Sequence, residues 1–207
     1  LRAYNCPSCG AQLIADKNTA ATSCPYCGNP TIVPAQFSGA LKPDYVIPFK
    51  MNKDEAIKKL SDFYGGKPLL PNAFKERNHI EEIKGVYVPF WLYDGTADAD
   101  MAFRGTISHS HREGDYTVTV TENYSILRQG TVEFNRVPAD GSSKMPDDFM
   151  DAIEPFNYRE MIPFELGYLS GYLADRYDIT ATQDRSRVNR RMRTSAADKI
   201  RETVSCG

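Results

Sequence analysis

Long hydrophobic runs are missing from this sequence. No stretch of eighteen apolar residues occurs and no apolar leader opens it, so nothing here reads as a membrane span or an export signal. Net charge is nearly absent too. Lys and Arg number 25 against 27 Asp and Glu, a balance of −2 that excludes a basic polyanion-binding surface spread over the whole chain. The single tryptophan, Trp91, lies in an apolar run and reads as core rather than as a platform for stacked bases.

Two catalytic signatures are also missing. The stretch GGKP at Gly65 to Pro68 lacks G-x-x-x-x-G-K-[ST], and its proline blocks the helix start a phosphate loop needs, which excludes an ATP-driven motor in this chain. No G-x-S-x-G is present. Cysteine is sparse: four of the five lie within the first 27 residues, and the fifth, Cys206, has no evident histidine partner. Such usage suits a reducing compartment, so the expected location is the cytoplasm.

The four clustered cysteines carry the strongest signal. Cys6, Cys9, Cys24 and Cys27 stand as C-x2-C, fourteen residues, C-x2-C, in two CPxCG units. Pro7 and Pro25 fix the backbone after the first cysteine of each pair, and Gly10 and Gly28 permit the positive φ that curls each turn. If the residues between fold back as a hairpin, four thiolates meet, which predicts one structural zinc, with iron in a rubredoxin-like site as the alternative. All four ligands come from protein, so no position remains open for a substrate. AQLIA and TAATS read as the two strands of the hairpin, DKN as its turn and TIV as a third strand. This pattern predicts a β zinc ribbon over residues 1–39, with the metal as its core. Arg2 and Lys17 against Asp16 give it +1, and zinc with four thiolates brings that to about −1, a poor polyanion trap.

Residues 40–207 read as a separate α+β domain on an antiparallel sheet. Pro34 to Pro43 is the expected linker and DYVIPFK the entering strand. Asn52 and Glu55 start a capped amphipathic helix that Gly65 and Gly66 end. IKGVYVPFWLYDG suits a buried strand. Alternation from Ala97 to Phe103, a turn at REGD, alternation again from Tyr116 to Thr121, and TVEFNRV beyond Gly130 predict an antiparallel meander. SSKMPDDFMDAIEPF and PFELGYLSGYLADRYD read as two further helices, with Gly167 and Gly171 allowing close packing. Asp98 and Asp100 share a strand face and read as solvated acids rather than a catalytic pair. His109 and His111 point to one side of a strand, about 6–7 Å apart. With His79, Glu113 or Asp115 they would form a metal-dependent hydrolase site, the weakest of the functional readings.

At the end of the chain Val188, Met192, Ala196, Ile200 and Val204 recur every fourth residue, predicting a helix with an apolar stripe and Ser186 near its start as cap. From Asp184 to Gly207 seven cations face three anions, +4, so residues 40–183 carry −7. Arg185, Arg187, Arg190, Arg191 and Arg193 are the candidate nucleic-acid contacts, and docking on the acidic body is the plainer use for them.

The two knuckles, YVPFWLYD at Tyr87 to Asp94, DGSSKM at Asp140 to Met145, IEPF at Ile153 to Phe156 and YLSGYLADRYD at Tyr168 to Asp178 together resemble bacterial zinc-ribbon proteins of the transcription-factor-IIB type. Members are often labelled primosomal replication-restart helicases. The resemblance runs over nearly the whole sequence. It implies a longer protein that continues past Gly207 into a second VPFWLYD-like segment and an apolar tail able to attach it to the cytoplasmic face of a membrane. It assigns no activity. The expected function is that of a non-enzymatic adaptor or scaffold with an unidentified protein partner, the alternative a nucleic-acid-binding accessory of replication or transcription.

Overall fold

The computed structural model describes residues 2–15, 18–24, 26–32, 42–65, 67 and 83–204. His79, Cys206, Pro25, the DKN turn apart from Asn18, and most of the expected linker lie outside these residues. The fold is α+β, and its sheets are mixed rather than purely antiparallel. The contacts divide the chain into two compact units, Leu1–Phe90 with Asp140–Thr180, and Trp91–Ala139 with Ala181–Gly207. The expected boundary between residues 39 and 40 falls inside the first of these.

In the first unit β1 (Arg2–Asn5) pairs antiparallel with β2 (Gln12–Ala15), so AQLIA is a strand as expected but its partner is Arg2–Asn5, not TAATS, and the expected hairpin gives way to two different sheets. Strand β3 (Thr19–Ser23) then leaves that hairpin and joins a four-stranded sheet. It pairs antiparallel with β4 (Pro30–Ile32) on one side. On the other side lies β10 (Leu173–Asp175), which itself pairs in parallel with β6 (Val86–Tyr87). Ala20 and Ala21 are buried with Val46, Phe164, Leu169 and Ala174 in one cluster. Alanines suit this place because a small side chain lets the neighbouring layers approach closely.

The rest of the unit departs from the helical expectation. The stretch from Pro163 to Asp178 holds a 3-10 turn at Leu166–Leu169 and the strand β10 instead of a helix. Gly171, at φ 86°, takes a conformation that ends the turn and sends the chain into β10, so it is a bend and not a packing notch. Strand β5 (Tyr45–Val46) is shorter than expected and pairs with β9 (Ile162–Pro163). Helix α1 (Lys53–Gly65) forms with its capping box intact: Glu55 N donates to Asn52 Oδ1 at 2.9 Å and Asn52 N to Glu55 Oε2 at 3.1 Å. Its apolar side is the covered one, with Ala56, Ile57, Leu60 and Tyr64 half-buried, but no residue of α1 is fully buried and Phe63 is exposed. Helix α2 (Asp147–Ala152) is a short piece after Pro146.

The second unit contains a two-stranded ribbon and one helix. β7 (Phe90–Glu113) and β8 (Tyr116–Asp140) run for 24 and 25 residues and are joined by Gly114 and Asp115. Gly114 at φ 62° supplies the positive angle that a two-residue turn requires. The meander expected from the sequence is therefore one long hairpin, because Gly130 does not turn the chain. A Cβ on it would meet Ile200 Cδ1 at 3.1 Å, so the glycine makes room for a helix instead. Nor is the Trp91 segment a fully buried strand: from Phe90 half-buried and exposed residues alternate, the mark of a sheet covered on one face. Helix α3 (Ala181–Glu202) starts five residues before Ser186 and buries Asp184, Val188, Met192, Ala196 and Ile200. Val188 and Met192 pack with Ala139, Tyr93, Phe134 and Val137, and Tyr93 donates its hydroxyl hydrogen to Ala181 O at 2.8 Å.

Candidate metal centre

Each knuckle is built by the same two backbone hydrogen bonds. Cys6 N donates to Ala11 O at 2.8 Å and Gly10 N to Cys6 O at 2.9 Å; Cys24 N donates to Asn29 O at 2.9 Å and Gly28 N to Cys24 O at 2.8 Å. Gly10 at φ 71° and Gly28 at φ 72° close the turns, an angle that would strain a side chain with a Cβ. Asn29 Nδ2 donates to Ser8 Oγ at 2.6 Å and so ties one knuckle to the other. Because the turns are set by backbone bonds, the sulfur positions follow from the CPxCG sequence itself.

The four sulfurs converge. All lie within 4.8 Å of one another, with Cys6 and Cys27 3.8 Å apart and Cys9 and Cys24 3.7 Å apart, and none is in a disulfide. Four thiolates about 2.3 Å from a central ion in a tetrahedron stand roughly 3.8 Å from each other, so these residues fit a tetrahedral metal. Cys6 and Cys24 are buried beside Leu13 and Tyr4, while Cys9 and Cys27 reach the surface. Among the described residues this is the one cluster of histidine, cysteine or acidic side chains with metal-ligand spacing.

The thiols are unequal. Backbone N–H groups of Cys9 and Ser8 point at the Cys6 sulfur and pull its pKa down to about 6, against partial desolvation. The Asn29 N–H favours the Cys27 thiolate, yet desolvation and the adjoining sulfurs of Cys24, Cys9 and Cys6 push it up to about 12. Packing four thiolates together is unfavourable without a cation between them, which is the electrostatic case for a bound divalent ion.

The other candidates do not gather. His109 and His111 lie on the exposed far part of β7, beside the Gly114 turn, and no third ligand joins them among the described residues. Asp98 and Asp100 accept hydrogen bonds from Thr131 Oγ1 at 2.7 Å and Gln129 Nε2 at 3.1 Å across the hairpin, so both serve strand pairing. The arginines of α3 split into two groups. Arg191 donates to Pro138 O at 2.7 Å and Arg187 stands 3.8 Å from Asp184, whereas Arg185, Arg190 and Arg193 are exposed.

One polar cluster was not legible beforehand. Asp178 Oδ1 accepts from Ser143 N at 2.7 Å, and its Oδ2 from Ser143 Oγ at 2.6 Å and Asn18 Nδ2 at 3.1 Å, while Lys144 Nζ reaches Asp175 at 3.1 Å. The only hint was the run DGSSKM, whose turn-forming residues do not announce which carboxylate they will hold.

No protein-family model matches the chain, and no solved structure matches it. It is similar to the uncharacterized protein YdjG of Bacillus subtilis (strain 168), 34% identical over 226 residues, which cover 86% of this chain and 66% of that protein. The chain thus spans just under two thirds of the length of that relative. No helix among the described residues is long and apolar enough to cross a membrane.

Proposed function

We propose that this chain is a zinc-ribbon adaptor: a non-enzymatic protein whose N-terminal knuckles hold one structural zinc ion and whose α+β body binds other proteins. The observation that carries the reading is the closed set of four cysteine sulfurs, all within 4.8 Å of one another. Bound zinc would supply cohesion to a segment too small to bury a core of its own, about 10–16 kcal/mol of apparent binding free energy in comparable modules. With four protein ligands it would offer no open position for a reacting molecule.

Elemental analysis of the purified chain tests the first half. One zinc per chain, lost when Cys6 and Cys24 are changed to serine, is the expected result; mostly iron, or no metal, overturns it. The second half is tested by affinity capture from source cells with the full-length protein as bait. Recovery of a defined protein partner supports the adaptor reading, and recovery of nucleic acid alone refutes it.

The second reading, an accessory that binds nucleic acid, rests on Arg185, Arg190 and Arg193, which α3 leaves exposed. It is weakened by the engagement of Arg187 and Arg191 within their own unit. A hydrolase built on His109 and His111 has no geometric support beyond the pair itself.

A further inference from the structure

We propose that the four-sulfur centre is an oxidation switch: a peroxide converts it into two disulfides between the knuckles, the metal is released, and β3 loosens from β10. The switch rests on the zinc reading and assigns a regulation to that same site.

The knuckles present their sulfurs unequally. Cys6 comes directly after β1 and Cys24 directly after β3, so the first cysteine of each knuckle sits at a strand end and is buried. Cys9 and Cys27 are the second cysteines and are exposed, as are their neighbours Ser8, Gly10, Tyr26 and Gly28. A Cβ on Gly10 or Gly28 would meet nothing within 4 Å, so the chain beside each of these sulfurs faces open space. A small oxidant therefore reaches Cys9 and Cys27 before Cys6 and Cys24.

Each exposed sulfur has a buried one close by on the opposite knuckle. Cys9 Sγ is 3.7 Å from Cys24 Sγ, and Cys27 Sγ is 3.8 Å from Cys6 Sγ. This is the relationship of an attacked cysteine to a resolving one, present twice. A metal-bound cysteine is a thiolate, so the nucleophile is already formed at neutral pH.

The steps balance with hydrogen peroxide as the oxidant. The Cys9 thiolate attacks one peroxide oxygen; the S–O bond forms, the O–O bond breaks and hydroxide leaves, which makes a sulfenic acid. The Cys24 thiolate attacks that sulfur; the S–S bond forms and a second hydroxide leaves. Cys27 and Cys6 repeat the sequence with a second peroxide. Four thiolates thus lose four electrons to two peroxides, and the ion departs as the divalent cation because no thiolate remains to hold it.

Closing the disulfides moves the backbone. Bonded sulfurs stand about 2.05 Å apart, so each pair must close by roughly 1.7 Å. The knuckles themselves are stiff, each held by two backbone hydrogen bonds and the two tied together by Asn29 Nδ2 to Ser8 Oγ at 2.6 Å. The displacement passes instead into the strand that adjoins Cys24. Strand β3 meets β10 at Ala21 with Ala174 and at Thr19 with Asp175, and the register shifts between these pairs. So short and interrupted a ladder yields before the knuckles do.

The test uses the zinc-loaded 207-residue chain and hydrogen peroxide, with metal content measured before oxidant is added. Absence of zinc at that point overturns both readings, whereas zinc that is present and stays bound overturns the switch alone. The expected result is release of one zinc per chain to a chromogenic chelator with a mass loss of about 4 Da, before any of the six methionines becomes a sulfoxide. Peptide mapping should find Cys9 joined to Cys24 and Cys6 to Cys27, and dimedone added with limiting peroxide should mark Cys9 and Cys27. Dithiothreitol with zinc should restore the metal. Amide exchange in β10 should rise severalfold on oxidation and return on reduction. Serine at any of the four ligands would lose the metal outright, so the variant used is Cys206→Ser, which should leave release and pairing unchanged. Methionine oxidation ahead of zinc release overturns the proposal, as do disulfides confined within each knuckle and a dimedone mark confined to Cys6 and Cys24. So does release that depends on Cys206, or exchange in β10 that oxidation leaves unaltered.

Discussion

Asn18 Nδ2 donates to Asp178 Oδ2 at 3.1 Å, joining residues 160 positions apart. The same asparagine accepts at its carbonyl from Arg176 N at 2.9 Å, so the segment entering β3 is fastened at two points to the segment leaving β10. Asn18 is buried, which makes its pairing more costly to lose. The cysteine knuckles are thereby tied to the body of the first unit by hydrogen bonds as well as by the β3–β10 pairing.

Acid should loosen this fastening. Burial raises the Asp178 pKa, but the Ser143 hydroxyl and backbone N–H, with Lys144 nearby, outweigh it and hold the carboxyl below the usual range. A carboxyl depressed in the folded state stabilises fully above its unfolded pKa of about 3.9, and that contribution is lost as pH falls through the lower folded value. Asp178→Ala should cost about 1–2 kcal/mol at neutral pH, and Asp178→Asn less, because an acceptor remains. Urea unfolding at pH 7 and pH 3 measures both. The difference between parent and Asp178→Ala should shrink at the lower pH, and an equal difference at both would remove the carboxylate from the account.

Metal loss should be felt beyond the knuckles. Cys24 follows β3 directly, and Ala20 and Ala21 of that strand are buried with Val46, Phe164, Leu169 and Ala174. Cys24→Ser, or removal of zinc with a chelator, should therefore raise amide exchange in β10 and β6 as well as in β1 to β4. If exchange rises only within residues 2–32, the ribbon behaves as the independent domain the sequence suggested.

How much of this was readable from sequence varies with the range of the interaction. The knuckles, the strands at AQLIA, TAATS and TIV, the capping box of α1 and the stripe of α3 were legible because each is decided within a few residues by turn chemistry or period; β1 and the pairing of AQLIA with it were not. The pairing of β3 with β10 was not, since nothing in TAATS names a partner 150 residues away. The YLSGYLADRYD segment misled for a related reason. Its spacing of apolar residues suits a helix, but Leu173 and Ala174 gain more as a strand between β3 and β6, where tertiary pairing overrides local propensity. At Gly130 the glycine that suggested a turn was a contact for Ile200. The sulfurs of the metal centre could be placed from spacing, and the Asp178 cluster could not, because its partners come from three distant segments.

Gly85 provides a packing test in the first unit. A Cβ there would lie 2.5 Å from Tyr172 Cδ1 and 2.9 Å from Cε1, closer than carbon atoms approach. Tyr172 has little freedom to withdraw. Its ring stacks on Phe49 at 4.6 Å between centroids and meets Tyr87 edge-on at 5.4 Å. Gly85→Ala should cost about 1–3 kcal/mol by displacing that ring. The near-ultraviolet circular dichroism of the tyrosines should change with it, and an unaltered spectrum together with parental stability would contradict the packing described.

The arginines of α3 separate the adaptor from the nucleic-acid reading once structural and exposed members are tested apart. Arg191 spans from the helix to Pro138 O at 2.7 Å, so Arg191→Ala removes a charge-assisted bond and should cost about 1–2 kcal/mol of stability in the second unit. Arg190 and Arg193 are exposed one turn apart, and reversing both should leave stability within about 0.5 kcal/mol. The double reversal Arg190→Glu with Arg193→Glu is thus the clean probe of function, free of the folding defect that any change at Arg191 would introduce. Binding to labelled single-stranded and duplex DNA and RNA is measured at two salt concentrations for parent and variant. The adaptor reading expects weak binding that the reversal does not alter. Sub-micromolar affinity with a steep salt dependence, abolished in a variant of parental stability, would make this helix face the functional site and reject the adaptor.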